Sequence, residues 1–186
     1  MKPTKKYTVV TGASSGIGRE TAKAFANRGR NLIVAARRTE NLEALKREVT
    51  ERHPTLDVVI RTVDLSVREN VYQFYSDLKD FQLETWVNNA GFGNYDSVAQ
   101  QDLGKIDTML RLNVEALTIL SSLFVRDYKD VPGTQLINIS SAGGYTIVPT
   151  AVTYCATKFY VSTFTEGLAW ELIETGAKMR TKVLAP

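Results

Sequence analysis

One cysteine and one histidine in 186 residues leave almost nothing from which to build a disulfide or a transition-metal site. Cys155 has no internal partner, and His53, next to Pro54, has no second ligand at metal spacing, so no metal is expected and His53 reads as a capping or surface residue. Charge of one sign is also scarce. The formal net charge is +3, and the one basic cluster, Lys2, Lys5 and Lys6, sits at a terminus where a solvated tail explains it, so no nucleic-acid partner is expected. Long apolar runs are missing too. Lys5 and Lys6 precede only the short run Tyr7 to Val10, and no stretch approaches the ~18 consecutive apolar residues of a spanning helix. The expectation is a protein of a reducing, cytoplasmic compartment with no membrane partner.

With 44% hydrophobic residues and five prolines, the chain suits one domain over residues 1–186, burying roughly 70% of its unfolded surface. Short β-rich runs alternate with longer segments of helical period. Strands are expected at Tyr7–Thr11, Asn31–Ala36, Leu56–Val63, Thr85–Asn88, Gln135–Ser140 and Arg180–Leu184. Helices are expected at Gly16–Asn27, Glu40–Arg52, Val67–Lys79, Leu103–Asp127 and Ala151–Thr175. Strands joined by crossover helices run parallel, and right-handed crossovers place helices on both faces. The fold class is therefore α/β, a doubly wound parallel sheet.

The first strand runs into Thr11-Gly12-Ala13-Ser14-Ser15-Gly16-Ile17-Gly18, and a helix begins inside that segment. Its glycines, spaced Gly-x-x-x-Gly-x-Gly, allow a tight turn and close approach of backbone to a ligand. The helix N-terminus offers free N–H groups to a pyrophosphate, so Gly12, Ser14, Ser15, Gly16, Ile17 and Gly18 are candidate nucleotide ligands. A bare glycine-rich turn is the competing reading, and the position between first strand and first helix favours the nucleotide.

After the second strand comes Ala36-Arg37-Arg38, where an NAD-preferring protein of this architecture places an acidic residue. Two guanidinium groups there would pair with a 2′-phosphate, so NADP(H) is expected in preference to NAD(H); the alternative is that both are simply solvated. Asp64-Leu65, ending the third strand, would present an acceptor to an adenine amino group, and Asp64 would serve equally as a turn or capping residue before the next helix.

These features are joined by Asn88-Asn89-Ala90-Gly91 after the fourth strand, Asn113 in the fourth helix, Ser141 after the fifth strand, and Tyr154-Cys155-Ala156-Thr157-Lys158. Tyrosine and lysine at i and i+4 alone are common helix neighbours. In this order and company, from Tyr7 to Pro186, the chain resembles the main group of the short-chain dehydrogenase/reductase family. The resemblance implies a Rossmann-type fold and an NADP(H)-dependent oxidoreductase moving a hydride between cofactor and a carbonyl or alcohol. It also implies that the chain lacks the family's last strand and substrate-covering segment, since Ala185-Pro186 matches the start of a Pro-Gly stretch where the chain stops.

Carried onto this sequence, the resemblance makes Tyr154 the proton donor and Lys158 the cation beside it, both also touching the cofactor. Ser141 orients the substrate oxygen, with Ser140 as its understudy. Asn113 holds a water linking Lys158 to solvent, and Asn89 belongs to the cofactor set. The chemistry fits the residue types, because an ordinary phenol ionises near pH ~10 and needs a nearby positive charge to exchange its proton readily at neutral pH. A mid-helix asparagine between Leu112 and Val114 also needs a partner to be tolerated. Cys155 is expected to be packed or partner-facing rather than reactive, Phe92 to make a buried aromatic contact more than to line a cleft, and Trp86 and Trp170 to be core or interface. A homodimer or homotetramer is implied, paired through the two long helices. A non-catalytic NADP(H)-binding sensor or scaffold is the alternative, and the combined presence of Ser141, Tyr154 and Lys158 weighs against it.

Overall fold

The computed structural model describes residues 5–186, so Lys2 of the basic cluster lies outside the described residues. Six parallel strands form one sheet in the order β3-β2-β1-β4-β5-β6. They are β1 Lys6–Thr11, β2 Asn31–Ala36, β3 Val58–Thr62, β4 Gln82–Asn88, β5 Gln135–Ile139 and β6 Arg180–Leu184. Between them run α1 Gly16–Ala26, α2 Thr39–Arg52, α3 Arg68–Ser76, α4 Leu103–Leu110, α5 Leu117–Tyr128 and α6 Val152–Glu174. The strand order reverses between β1 and β4, the point at which open α/β sheets bind ligands.

Strand periodicity of two builds two cores from one sheet. Tyr7, Val9, Ile33, Ala35, Trp86 and Leu136 face α3, α5 and the end of α6, packing with Phe74, Leu120, Phe124 and Leu172. The alternate residues Val10, Leu32, Val34, Val87 and Ile137 face α1 and α2, packing with Ala22, Ala26, Leu42 and Leu45. Burial on both faces explains why the central strands read as continuous apolar runs. At the edge, β6 alternates between exposed Arg180, Lys182 and Leu184 and half-buried Thr181 and Val183.

Several boundaries depart from the expected ones. Strand β4 begins at Gln82 instead of Thr85, because Lys6 and Tyr7 pair with Gln82 and Leu83 across a register shift, and pairing, unlike periodicity, is not visible locally. Strand β3 is shorter than Leu56–Val63 and α3 stops at Ser76. The long helix is one rod from Leu103 to Tyr128, but Arg111–Ala116 is π-helical. An extra residue in one turn rotates the face beyond it by about 100°. An 18-residue window of this rod has mean hydropathy 1.3, yet the rod as a whole carries Asp107, Arg111 and Glu115 and packs through Leu117, Leu120 and Phe124 into the core, as a helix covering a sheet does.

Candidate functional site

Strand β1 ends at Thr11, whose buried hydroxyl donates to the Val87 carbonyl at 3.3 Å and accepts the N–H groups of Asn89 and Ala90 at 3.0 Å each. The Asn89 amide donates back to the carbonyls of Thr11 (2.9 Å) and Gly12 (3.4 Å). Gly12 turns with φ +66, and a Cβ there would lie 2.7 Å from Asn89 Nδ2 and 2.8 Å from Ala90 Cα; a Cβ on Gly18 would collide with the Gly12 carbonyl. These two glycines let the turn, α1 and Asn88–Gly91 close on one another. A Cβ on Gly16, by contrast, would meet nothing within 4 Å. Ser15, at the N-cap of α1, makes no side-chain cap bond, and no acidic residue occupies the first turn. The helix N-terminus thus keeps its free N–H groups and positive dipole end for an anion, as a pyrophosphate group requires.

Arg38 reaches over this turn, its Nη2 donating to Ser14 Oγ at 3.1 Å and Ser15 Oγ at 2.8 Å. Arg37 and Arg38 border a cleft with Gly12, Ser14, Ser15, Ala36, Asp64, Leu65 and Gly91. Asp64 is the expected turn residue: its Oδ1 accepts from the Ser66 N–H (3.0 Å) and hydroxyl (2.7 Å). Burial pushes its carboxyl upward, but the two Ser66 bonds and the Arg37 charge outweigh this and hold it below the usual carboxylate range.

A second cleft continues from the first, the two sharing Gly12, Ser15, Ala90 and Gly91. It runs past Gly16, Ile17, Gly18, Asn89, Phe92 and Ile139 to Ser140, Tyr154 and Lys158. Tyr154 and Lys158 lie one turn apart on α6, with Lys158 Nζ 5.9 Å from the Tyr154 ring centroid. Lys158 is 7% exposed and donates to the Ile139 carbonyl at 2.9 Å; burial lowers its pKa to about 8, which leaves it mostly protonated at pH 7. Ser141 Oγ accepts from Gly143 N–H at 3.2 Å. A Cβ built on Gly143 would lie 3.7 Å from Ser141 Oγ and 3.6 Å from Tyr154 Cε1, so serine and tyrosine flank the same glycine.

Two adjacent hydroxyls are separated by the strand's end. Ser140 is buried and bonds the Lys158 carbonyl (3.0 Å) and Ser162 Oγ (2.8 Å), tying β5 to α6. Asn113 is buried in the π-helical turn, where its Oδ1 accepts the Phe92 N–H (3.1 Å) and its Nδ2 donates to the Phe92 carbonyl (2.9 Å) and Thr157 Oγ1 (3.1 Å). Its side chain is therefore committed to holding the chain after β4 against α6, and the expected water would have to use its main chain. Asn89 likewise borders the cleft with its amide already spent on the turn. Phe92 corrects the expectation made for it: half-buried, it lines the cleft. Cys155 is packed, and His53 closes α2 while bonding Asn27 Oδ1 at 2.9 Å. Trp86 is core and Trp170 is 68% exposed.

Sequence reasoning passed over Thr11, Thr157 and the buried chain Trp86 Nε1 to Asn88 Oδ1, Asn88 Nδ2 to Asn138 Oδ1, and Asn138 Nδ2 to Thr165 Oγ1. The signal for them is a polar residue among strand apolars, which must find a partner when buried.

A family model described as short chain dehydrogenase matches residues 6–186. The human Dehydrogenase/reductase SDR family member 11 is 30% identical over 187 residues, covering 97% of this chain and 72% of that protein. The solved structure of a bulky-bulky ketone specific alcohol dehydrogenase from Comamonas testosteroni superposes with TM-score 0.90 at 28% identity, covering 97% of this chain and 72% of that one. A short-chain dehydrogenase from Sphingobium yanoikuyae in complex with NADPH does so with TM-score 0.90 at 28% identity over 97% and 70%. With the family model spanning the whole sheet and both clefts, this chain belongs to the short-chain dehydrogenase family of oxidoreductases.

Proposed function

We propose that this chain is an NADP(H)-dependent oxidoreductase acting on a carbonyl or the matching alcohol, with Tyr154 holding the proton exchanged at the substrate oxygen. The observation that carries this reading is the single trough joining the uncapped N-terminus of α1 to Tyr154 and Lys158. An extended dinucleotide needs an anion site at its middle and reacting groups at one end, and the trough offers both. A nicotinamide held there supplies or accepts the hydride at the carbonyl carbon.

The protein's own part is positioning and proton handling. Arg38, with Ser14 and Ser15, forms the 2′-phosphate site, and Arg37 adds charge beside it. Leu65 and Asp64 border the adenine end. Ser141 orients the substrate oxygen toward the Tyr154 hydroxyl, and the Lys158 ammonium favours the phenolate left when that proton is given up. Lys158 also reaches the ribose from the floor of the cleft, with Asn113 and Asn89 fixing its walls. The ketone-specific alcohol dehydrogenase and the NADPH-bound short-chain dehydrogenase that share this fold support the same reaction class. The single buried cysteine accords with a cytoplasmic setting.

Turnover of a panel of ketones and aldehydes with NADPH, measured beside NADPH affinity, tests the assignment. Tyr154→Phe is expected to lose ~10²–10⁴-fold in turnover while binding NADPH as the parent does. Retention of more than about a tenth of parental turnover refutes the role of Tyr154. NADPH binding with no turnover of any carbonyl by the parent would favour a binding protein instead.

A further inference from the structure

The segment between β4 and α4 passes beside Tyr154 and is held at both ends. At the near end Asn113 takes the N–H and carbonyl of Phe92 at 3.1 and 2.9 Å. At the far end Gln101 Oε1 accepts from Thr153 Oγ1 at 3.0 Å, next to Tyr154 in the chain, and Gln101 Nε2 donates to the Asp96 carbonyl at 3.3 Å. Asp102 then caps α4, accepting from the N–H groups of Gly104 and Lys105 at 2.8 and 3.1 Å. Between these anchors the Tyr95 ring lies 5.9 Å from the Tyr154 ring, centroid to centroid, with planes inclined by 47°. It folds back over Gly93, where a Cβ would sit 3.1 Å from its Cε2 and hydroxyl, so the absent side chain makes room for it.

Tyr95 nonetheless stays 68% exposed, and among the described residues its hydroxyl makes no hydrogen bond. An aromatic ring on a segment held at both ends, paired with the Tyr154 ring and otherwise bare, contributes little to the core. It is placed to receive a planar apolar group. The cleft around Tyr154 is bordered by Ile17, Phe92 and Ile139, and its lining holds no carboxylate or guanidinium. The one cation there, Lys158, is directed at the Ile139 carbonyl. The turn leading from Ser141 into α6 adds Ile147 and Val148, 75% and 43% exposed.

We propose that Tyr95 is a specificity-determining wall of the substrate site, and that the substrate class is uncharged carbonyl compounds, or their alcohols, bearing an aryl or comparably bulky apolar group on the carbonyl carbon. The proposal rests on Tyr154 marking the position of the reacting oxygen. Stacking on a tyrosine face prefers offset or inclined rings and adds to the area the group buries.

The experiment pairs turnover with binding. Acetophenone and butan-2-one are assayed with NADPH. Benzamide and isobutyramide, carbonyl analogues that are not reduced, are titrated by NMR into the protein holding saturating NADPH. Tyr95→Ala, an exposed site whose truncation leaves the core intact, is expected to weaken benzamide roughly three- to tenfold and to raise the acetophenone KM by the same factor. Isobutyramide, butan-2-one and NADPH affinity stay at parental values, and Tyr95→Phe behaves as the parent. Equal losses for aryl and alkyl compounds, or no benzamide binding by the parent, overturn the wall. Benzamide binding that depends on Tyr95 without turnover of either ketone keeps the wall and refutes the proton-donor reading of Tyr154.

Discussion

Truncating Arg38 to alanine removes the guanidinium that spans Ser14 Oγ at 3.1 Å and Ser15 Oγ at 2.8 Å beside the glycine-rich turn. A hydrogen bond to a charged group contributes about 1.5–3 kcal/mol, or roughly 10- to 150-fold in affinity at 1.4 kcal/mol per decade. Arg38 is exposed, so solvent screening places the loss at the lower end, about 10- to 30-fold for NADPH. NADH carries a hydroxyl in place of the 2′-phosphate and is expected to lose almost nothing, so the parental preference for NADPH narrows toward parity. Arg38→Lys keeps the charge but not the planar fork, and falls between parent and alanine variant. Removing two surface hydrogen bonds changes stability by less than about 1 kcal/mol, so unfolding does not confound the measurement. Isothermal titration with both cofactors, repeated at two salt concentrations, reads the effect, and its NADPH component shrinks with salt. A parent that binds both cofactors equally, or an Arg38→Ala variant that weakens both by one factor, makes Arg38 a brace for the turn and refutes the 2′-phosphate site.

The Lys158 ammonium is buried, and its pKa falls from 10.5 to about 8 on folding, so between those values the unfolded chain holds more protons than the folded one. Parental stability therefore rises with pH across that window, recovering about 3 kcal/mol relative to Lys158→Met in urea unfolding, and a constant difference between pH 7 and 10 refutes this. Asn113→Ala strands the Phe92 N–H and carbonyl, and is expected to cost about 2–4 kcal/mol and roughly 5–15 °C in Tm, with weaker NADPH binding because Gly91 and Phe92 line the cleft. A Tm within about 2 °C of the parent refutes it. Trp170 and Ile173, one turn apart on α6, are 68% and 69% exposed, an apolar face suited to a second copy, so sedimentation at micromolar concentration is expected to give a homodimer or homotetramer; a monomer alone counts against it.

Much of this protein is written locally. Glycines 12, 16 and 18 between a strand and a helix, and Tyr154 four residues before Lys158, are short-range patterns whose geometry follows from one turn of backbone. The alternation of apolar strands and helical segments likewise carries the doubly wound sheet, because a strand covered on both faces reads as an apolar run wherever it lies. Division of labour among neighbours of similar chemistry depends on partners distant in the chain. Ser140 and Ser141 are indistinguishable until α6 claims one hydroxyl and leaves the other beside Tyr154. Arg37 and Arg38 read alike until the folded turn puts Ser14 and Ser15 within reach of one alone. Asn113 depends on a π turn that aims its amide at Phe92, 21 residues earlier, and no helical periodicity records a single extra residue in one turn. Tyr95 is one more exposed aromatic in the sequence, and only the contacts of Asn113 with Phe92 and of Gln101 with Thr153 bring it to Tyr154, because a loop's course is set by what its ends are tied to.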